Sequence, residues 1–323
     1  MNPFVLIRAS TLSEAAREAA RPSTALKAGG VDLLDRMKEG LDRPERVVSI
    51  SHIAGLNRIT IGPPARIGAL ATLAEISSHE ELRRAYPALC DAAGEAATPQ
   101  IRNMATLAGN LCQRPRCWYY RLAEFDCRKK GGKDCFAFEG ENRFHAIFDT
   151  ELLCCCVHPS GTATALLACG AILETVSPRG KRRIPIEDFF LRPTEDPTRE
   201  NILAAGEIIE TVVLPAPAEG SRSVYKKLKE KETFDWPLVE VCVNLSLSSG
   251  VIREARVVLG SVAPTPRRAK EAEAALVGAR AGADAASKAA HAAVSRAAPL
   301  SQNAYKVRLT RVLLERALRE VLS

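Results

Sequence analysis

Several features that mark other protein classes are missing from this chain of 323 residues. No run of about 18 apolar residues is present, so the sequence predicts no membrane-spanning helix. Aromatic residues make up only 5% of the chain and the basic residues behind its net charge of +7 are dispersed, which argues against a nucleic-acid groove. No G-x-G-x-x-G fingerprint of a Rossmann dinucleotide site occurs. The N-terminus lacks the apolar stretch of a signal peptide, and we therefore expect a cytoplasmic protein, or a periplasmic one only if a signal-bearing partner exports it.

Cysteine, by contrast, is abundant and clustered. The chain has ten cysteines, and eight of them lie between residues 112 and 169. Disulfides are rare in a reducing compartment, so such cysteines are core residues, metal ligands or reactive thiols. The segment 112–157 also shows little hydrophobic periodicity, and a loop of that length inside a compact domain is typically functional. The cysteine loop is therefore the first candidate site.

Apolar periodicity predicts an α+β fold in two domains. An N-terminal domain of residues 1–215 would consist of the subdomains 1–65 and 66–215, with the cysteine loop 112–157 in the second. A C-terminal domain of residues 216–323 would hold a three-stranded sheet followed by helices. The main predicted helices are Thr11–Ala20, Asp32–Glu39, Glu80–Ala97, Arg267–Leu276 and Asn303–Leu322, and the C-terminal strands are 223–229, 238–247 and 255–261.

The cysteine spacing does not match a zinc ribbon, a zinc finger or the ferredoxin C-x2-C-x2-C run. Four thiolates on a loop can still wrap a [4Fe–4S] cluster. Basic residues between 114 and 133 would offset the charge of such a cluster. The spacing alone leaves three alternatives open, namely an iron–sulfur cluster, another metal, or reduced buried thiols. It also does not select four ligands from Cys112, Cys117, Cys127, Cys135 and the run Cys154-Cys155-Cys156.

Two glycine-containing turns indicate a phosphate site. Ala28-Gly29-Gly30 precedes a predicted helix, where backbone N–H groups bind anions. Thr106-Leu107-Ala108-Gly109-Asn110 is a second turn of this kind. Together the two loops would suit a pyrophosphate held between them.

The order of the motifs along the chain resembles the FAD-binding medium subunit of molybdenum hydroxylases, the xanthine dehydrogenase and CO dehydrogenase family. The resemblance extends over essentially the whole chain. Its fold is a two-subdomain FAD-binding domain of the PCMH type followed by a C-terminal α+β domain. The motifs that carry it are Ala28–Asp35, Ile67–Leu73, Gln100–Leu111, Ile184–Phe190, Gly206–Ile209, Leu259–Pro264 and Asn303–Val307.

The cysteine loop is similar to that of a subfamily with an inserted [4Fe–4S] loop, which includes 4-hydroxybenzoyl-CoA reductase and heterotrimeric aldehyde oxidoreductases. In that subfamily the fourth cysteine lies four residues before a His-Pro-Ser motif. Counting back from His158-Pro159-Ser160 gives Cys154. The ligands that the resemblance implies are Cys117, Cys127, Cys135 and Cys154.

The resemblance also implies FAD and a set of contacts to it. The implied contact residues are Ala25, Leu26, Lys27, Ala28, Gly29, Gly30, Val31, Asp32, Leu33, Thr106, Gly109, Asn110, Gln113 and Lys227. Three positions depart from the family pattern: Ala25 stands where close relatives often have Lys, Val31 where Thr, Ser or His is usual, and Gly161 where Asp is usual.

The implied function is electron transfer rather than chemistry on the organic substrate. A large partner subunit would hold the molybdenum cofactor and the substrate, and a small partner would hold two [2Fe–2S] clusters. This subunit would pass electrons between those clusters and an external acceptor or donor, in a heterotrimer or a dimer of heterotrimers. Two alternatives remain at this point, a structural or assembly subunit that keeps a [4Fe–4S] cluster but lacks functional FAD, and a zinc-binding interaction module.

Overall fold

The N-terminal sheet consists of three short parallel strands. The computed structural model describes residues 1–323, and the strands occur in the order β1-β3-β2. Parallel neighbours require crossover connections, which helices provide here. The elements are β1 (Val5–Arg8), α1 (Leu12–Ala19), β2 (Thr24–Lys27), α2 (Val31–Lys38) and β3 (Arg46–Ser49). The glycine turn therefore connects a strand end to a helix start.

A five-stranded antiparallel sheet, ordered β4-β5-β8-β6-β7, forms the centre of the second subdomain. Its strands are β4 (Ile59–Thr60), β5 (Ala65–Gly68), β6 (Ile172–Ser177), β7 (Gly180–Pro185) and β8 (Ile208–Leu214). The helices of this region are α3 (Leu73–Ser78), α4 (Glu80–Ala85), α5 (Pro87–Gly94), α6 (Pro99–Arg102), α7 (Leu107–Leu111), α8 (Trp118–Arg121) and α9 (Gly161–Cys169).

The C-terminal part has an antiparallel sheet covered by helices on one face. Three long strands match the predicted three-stranded sheet, and a two-residue edge strand joins them. The elements are β9 (Ser221–Leu228), β10 (Val239–Ser248), β11 (Val251–Gly260), β12 (Arg267–Arg268), α10 (Lys270–Leu276), α11 (Ala283–Ala293) and α12 (Tyr305–Leu322). The α+β class and the C-terminal sheet are thus confirmed.

Two local predictions differ in detail from the structure. The helix expected from Arg267 begins only at Lys270, because Arg267 and Arg268 pair with Leu259 and Val258 as β12. The segment 80–97, predicted to be mostly helical, consists of the two helices α4 and α5, which divide at Tyr86 because Pro87 begins the second. Proline has no N–H to donate and is favoured at the first turn of a helix.

Two large apolar cores hold these layers together. The first surrounds α5 and α9, and every residue of α9 is buried. The second fills the space between the C-terminal sheet and α10 to α12. Tyr225, Cys242 and Val258 of the C-terminal sheet belong to the first core, so this sheet also packs against the second subdomain. The helices of the chain include none long and apolar enough to span a membrane.

Candidate cofactor sites

The glycine turn after β2 positions a set of free backbone donors. Gly30 caps α2 with φ of 85°, a conformation that side chains other than glycine rarely adopt. The first intrahelical hydrogen bond of α2 runs from Leu34 N to Gly30 O at 2.9 Å, so the preceding N–H groups of 31–33 have no partner within the helix. A Cβ on Gly29 would overlap the carbonyl oxygen of Met104. The turn thus packs directly on the neighbouring loop and presents an anion-binding helix start.

The second predicted loop contributes a side chain rather than free N–H groups. The N–H groups of Leu107 and Ala108 donate to the carbonyls of Ala71 and Ala69 at 2.9 and 3.1 Å. Thr106 Oγ1 accepts from Gly109 N at 3.2 Å. The amides of Leu107 and Ala108 therefore already have protein partners, and this loop can contribute only its side chains to a ligand.

Asn110, at the same loop, has a fixed amide orientation. Its Oδ1 accepts hydrogen bonds from Ser160 Oγ at 2.6 Å and Thr162 Oγ1 at 2.7 Å. A carbonyl oxygen that accepts two hydroxyl donors cannot exchange places with the amide nitrogen without losing both bonds. The Nδ2 group of Asn110 is consequently the part available to a ligand.

A cavity of about 620 Å³ lies between these loops and the C-terminal sheet. Strand alternation explains which residues of β2 reach it, since neighbouring side chains point to opposite faces. Leu26 lines the cavity, whereas Ala25 packs in the small core beneath α2 and Lys27 donates to the carbonyl of Ala28 at 3.3 Å. Ala25 and Lys27 do not line it. The predicted contacts that do are Leu26, Ala28, Gly29, Gly30, Val31, Asp32, Leu33, Thr106, Gly109, Asn110, Gln113 and Lys227.

Two of the predicted FAD contacts already form hydrogen bonds with other protein groups. Gln113 donates from Nε2 to Asn110 O at 3.0 Å and accepts from Arg116 Nη2 at 3.0 Å. Lys227 Nζ donates to the carbonyl of Glu95 at 2.8 Å. Burial lowers the pKa of Lys227 below its usual value. Gln113 therefore fixes the loop geometry, and Lys227 places an ammonium group on the cavity wall.

Asp32 binds the cysteine loop to the glycine turn. Its carboxylate pairs with Arg36, with Arg116 at 2.6 Å and with Arg121 at 2.9 Å, and it accepts from Arg114 N at 3.1 Å. Burial would raise the pKa of Asp32, but Arg116 and Arg36 outweigh it and hold that pKa below its usual range. Asp32 is thus an ion-pair centre that anchors residues on both sides of Cys117.

A buried carboxyl group faces the cavity from the C-terminal sheet. Glu240 accepts from the hydroxyl of Tyr225 at 2.8 Å, and both side chains line the cavity. Burial raises the pKa of Glu240 to about 7. A Cβ at Gly161 would lie 2.6 Å from the Tyr225 hydroxyl and 3.1 Å from Glu240 Oε1. These two side chains therefore fill the space beside Gly161. The sequence pattern of β10 is apolar, and it gave no signal for a functional Glu240.

Four cysteines from distant parts of the loop line a second, smaller cavity. They are Cys117, Cys127, Cys135 and Cys154, and Cys156 lines it too. Cys155 lies behind this wall, with its sulfur 3.8 Å from that of Cys135. Cys112 lines the large cavity instead. The structure thus brings the four predicted ligands together and adds one competitor for the fourth position.

Short turns direct backbone N–H groups at three of these sulfurs. Cys117 immediately precedes α8, and Cys127 precedes a 3-10 turn over Arg128–Lys130. Tyr120 N and Lys130 N already donate to the carbonyl oxygens of Cys117 and Cys127, at 3.1 and 2.8 Å. The amides that lie near a sulfur and lower the pKa of its thiol are those of Tyr119 and Tyr120 for Cys117, Lys129 and Lys130 for Cys127, and Ala137 and Cys155 for Cys135.

Burial and hydrogen bonding act in opposite directions on the cysteine thiols. Burial raises the pKa of Cys117 to about 12 and raises the pKa of Cys127 above its usual value. Donation from the thiols of Cys154 and Cys155 lowers the pKa of Cys135 to about 2. Lys129 is buried and pairs with Glu200 at 2.8 Å. Burial alone would lower the pKa of Lys129, but Cys156 and Glu200 raise it above its usual value. A positive group therefore stands beside the sulfurs.

Two known domain families match consecutive parts of this chain. Residues 2–217 match the FAD binding domain in molybdopterin dehydrogenase, and residues 223–321 match the CO dehydrogenase flavoprotein C-terminal domain. The aldehyde oxidoreductase FAD-binding subunit PaoB of Escherichia coli is 36% identical over 99% of this chain and 98% of its own length. This chain is a member of the molybdopterin dehydrogenase FAD-binding subunit family. The predicted family is confirmed.

Other members of the molybdopterin dehydrogenase FAD-binding subunit family are more distant. The carbon monoxide dehydrogenase medium chain of Hydrogenophaga pseudoflava is 27% identical over 91% of this chain and 87% of its own length. The solved carbon monoxide dehydrogenase of that organism superimposes with a TM-score of 0.77, at 26% identity, and covers 98% of this chain and 96% of the other. As a family member, the chain is one component of a molybdenum-containing oxidoreductase.

The cavity fits the FAD of this family. The free backbone amides of 31–33 and the side-chain amide of Asn110 are donors for a pyrophosphate. The glycine turn is tightly packed, since a Cβ on Gly29 would have no room. Residues that the sequence did not single out complete the wall. These are Leu203, Ile208, Tyr225, Phe234, Trp236 and Glu240.

The cysteines of this cavity are donors of the type that binds a single metal ion or a cluster. No three Cys, His, Asp or Glu side chains are arranged around one metal-ion position. A [4Fe–4S] cluster instead spreads its four thiolate ligands around a larger inorganic core. Four cysteines on one cavity wall, with backbone N–H groups at three sulfurs, provide that donor set.

Proposed function

We propose that this chain is the electron-transfer subunit of a heterotrimeric molybdenum hydroxylase-type oxidoreductase and holds both FAD and a [4Fe–4S] cluster. Its partners would be a large molybdopterin-binding subunit and a small subunit with two [2Fe–2S] clusters. Family membership and the match to the aldehyde oxidoreductase subunit support this. FAD supplies one- and two-electron chemistry when bound, and the protein supplies binding and orientation.

One observation carries the proposal. The neighbouring residues Arg116 and Cys117 line different cavities, Arg116 the large one and Cys117 the cysteine one. Asp32, at the start of α2, holds this segment through its ion pair with Arg116. The two sites are therefore contiguous along the chain at the step from Arg116 to Cys117.

The residues of the large cavity divide the binding of FAD between them. The amides of 31–33 and Nδ2 of Asn110 would hold the pyrophosphate. Gly29 and Gly30 would allow the backbone to approach it. Arg116 stacks on the Trp236 ring with 4.9 Å between its guanidinium carbon and the ring centroid, and this pair would limit solvent access at the loop between β9 and β10.

In the cysteine cavity, Cys117, Cys127, Cys135 and Cys154 would hold the cluster, and it would supply a one-electron redox centre. Cys156 lines the same cavity, so the fourth ligand needs a direct comparison. Serine variants of Cys154 and Cys156 in the purified complex provide it, with buried Cys90 as the matched control. We expect Cys154→Ser to lose the [4Fe–4S] electron paramagnetic resonance (EPR) signal, while Cys156→Ser and Cys90→Ser retain it. Loss in Cys156→Ser alone would reassign the ligand.

The substrate class follows from the relative named as an aldehyde oxidoreductase subunit. We propose an aldehyde as the electron source of the complex. Anaerobic addition of an aromatic aldehyde to the complex should bleach the flavin absorbance of this chain. A complex that contains FAD and whose flavin stays oxidised with aldehydes but is reduced by an N-heterocycle would refute that choice.

The alternative of a subunit without functional FAD rests on Ala25, Val31 and Gly161. Ala25 packs in the small core beneath α2 and does not line the cavity. Val31 provides no side-chain donor, yet its backbone N–H is free. At Gly161 the Tyr225 hydroxyl and Glu240 occupy the neighbouring space. Measurement of the FAD extracted from the purified complex distinguishes the electron-transfer subunit from this alternative, because the alternative predicts a cluster but no flavin.

A further inference from the structure

We propose that His145 donates a hydrogen bond from its Nε2–H to the sulfur of Cys117 and thereby raises the reduction potential of the cluster. This inference rests on the proposed function, since it requires the cluster at the cysteine cavity. His145 does not line either cavity, and it acts through the ligand Cys117. It is therefore a positioning residue.

The contact between the two side chains is close and buried. His145 Nε2 lies 3.2 Å from Cys117 Sγ, and His145 is only 3% exposed. The other ring nitrogen, Nδ1, is buried without a hydrogen-bond partner. A neutral imidazole carries one N–H, and an unsatisfied buried N–H is costly. The ring proton therefore belongs on Nε2, where the sulfur accepts it.

The protonation state of the sulfur also determines which atom donates in this hydrogen bond. A free thiol could donate to Nε2, but a cysteine that ligates metal is a thiolate and has no proton to give. Within 3.2 Å of a thiolate, the imidazole has to be the donor. The N–H···S geometry is thus matched to the ligated form of Cys117.

The surrounding structure prevents the imidazole from turning away. His145 N donates to Asn142 O at 3.0 Å, and His145 O accepts from Asn303 Nδ2 at 3.2 Å and Lys306 Nζ at 3.0 Å. The ring packs edge-on against Trp118, with 5.1 Å between the centroids. Lys306 is itself fully buried in α12. Asn303 and the α12 residue Lys306 therefore fix the backbone that carries the donor, and Trp118 packs against its ring.

A donor at a ligand sulfur has a defined redox effect. Hydrogen bonds to the sulfurs set iron–sulfur potentials, because they stabilise the more negative reduced state. Removal of this bond should make the cluster harder to reduce. We expect about a tenfold change in the ratio of reduced to oxidised cluster at a fixed potential, which is about 59 mV for a one-electron couple.

The test is a redox titration of the cluster by EPR in the purified complex. The variants are His145→Leu, which removes the donor, His145→Gln, which retains an N–H, and His158→Leu as the matched control. His158 is an equally buried histidine that packs on Phe190 with 4.6 Å between ring centroids. We expect a lower potential in His145→Leu, a potential near the wild type in His145→Gln, and no change in His158→Leu. An unchanged potential in His145→Leu, or an equal fall in His158→Leu, would overturn the proposal.

A measurement on the wild type covers the case in which His145→Leu loses its cluster. With 15N-labelled histidine, pulsed EPR of the reduced cluster should detect coupling to one ring nitrogen across the hydrogen bond. If the cluster is present but shows no such coupling, only the proposed hydrogen bond from His145 is refuted. A wild-type complex without labile sulfide instead refutes the cluster itself, so the failures of the two proposals are distinguishable.

Discussion

Replacement of Glu240 by glutamine should remove a pH dependence from the stability of the chain. Burial raises the pKa of Glu240 from 4.5 to about 7 in the folded protein, whereas the unfolded chain has the ordinary value. Between about pH 4.5 and pH 7 the folded state therefore holds a proton that the unfolded state has lost. Stability falls as the pH rises through this window.

The size of the effect follows from the same two values. Each pKa unit corresponds to about 1.4 kcal/mol, so the protonated carboxyl contributes about 3 kcal/mol that is present below pH 4.5 and lost above pH 7. Glutamine stays neutral and can accept the 2.8 Å hydrogen bond from Tyr225. Relative to the wild type, Glu240→Gln should therefore gain about 3 kcal/mol of unfolding free energy between about pH 4.5 and pH 8.

The assay is reversible urea unfolding of both proteins under reducing conditions across this pH range. Glu230→Gln is the matched control, since the Glu230 side chain is 58% exposed. Tyr225→Phe provides a second check. It removes a donor to the ionised carboxyl, so the window should move to higher pH. Parallel pH profiles of the wild type and Glu240→Gln would refute the assignment of a protonated, buried Glu240.

Three further predictions concern the two cofactor sites. Gly29→Ala should destabilise the chain by about 2 kcal/mol or more and abolish FAD binding, because its Cβ would overlap a backbone carbonyl. The control Gly62→Ala, whose Cβ would have no contact nearer than 3.9 Å, should retain FAD. Flavin fluorescence of both variants tests this prediction. Lys129→Met leaves buried Glu200 with one fewer partner and should cost about 3 kcal/mol in urea unfolding; a loss below about 0.5 kcal/mol would contradict that role. Removal of iron with a chelator should make the loop at 128–133 sensitive to trypsin, and unchanged digestion would count against the cluster.

The sequence was most informative where local chemistry decides the structure. Thr11 caps α1, and the C-terminal strands form as their apolar runs predict. The family resemblance also pointed to four cysteines that the structure collects at one cavity. Motif order along the chain carries this information because it reflects the whole fold.

What sequence reasoning missed depends on contacts between distant segments. Asp32 lines the cavity, but its ion-pair role was not predicted, because its carboxylate bonds to arginines more than 80 positions away. Glu240 lies in an apolar strand pattern, and only its burial beside Tyr225 shows its character. The choice between Cys154 and Cys156 is equally invisible to spacing, because both sulfurs reach the same wall.

The most direct test of the account is a cofactor analysis of the purified wild-type complex. We predict about one FAD, four irons and four acid-labile sulfides bound by this chain, in addition to the iron and sulfide of the small subunit. Cys117→Ser should lower only the iron and sulfide of this chain and leave its FAD in place. A complex whose iron and sulfide are fully accounted for by the small subunit, with zinc or no metal on this chain, would contradict the account.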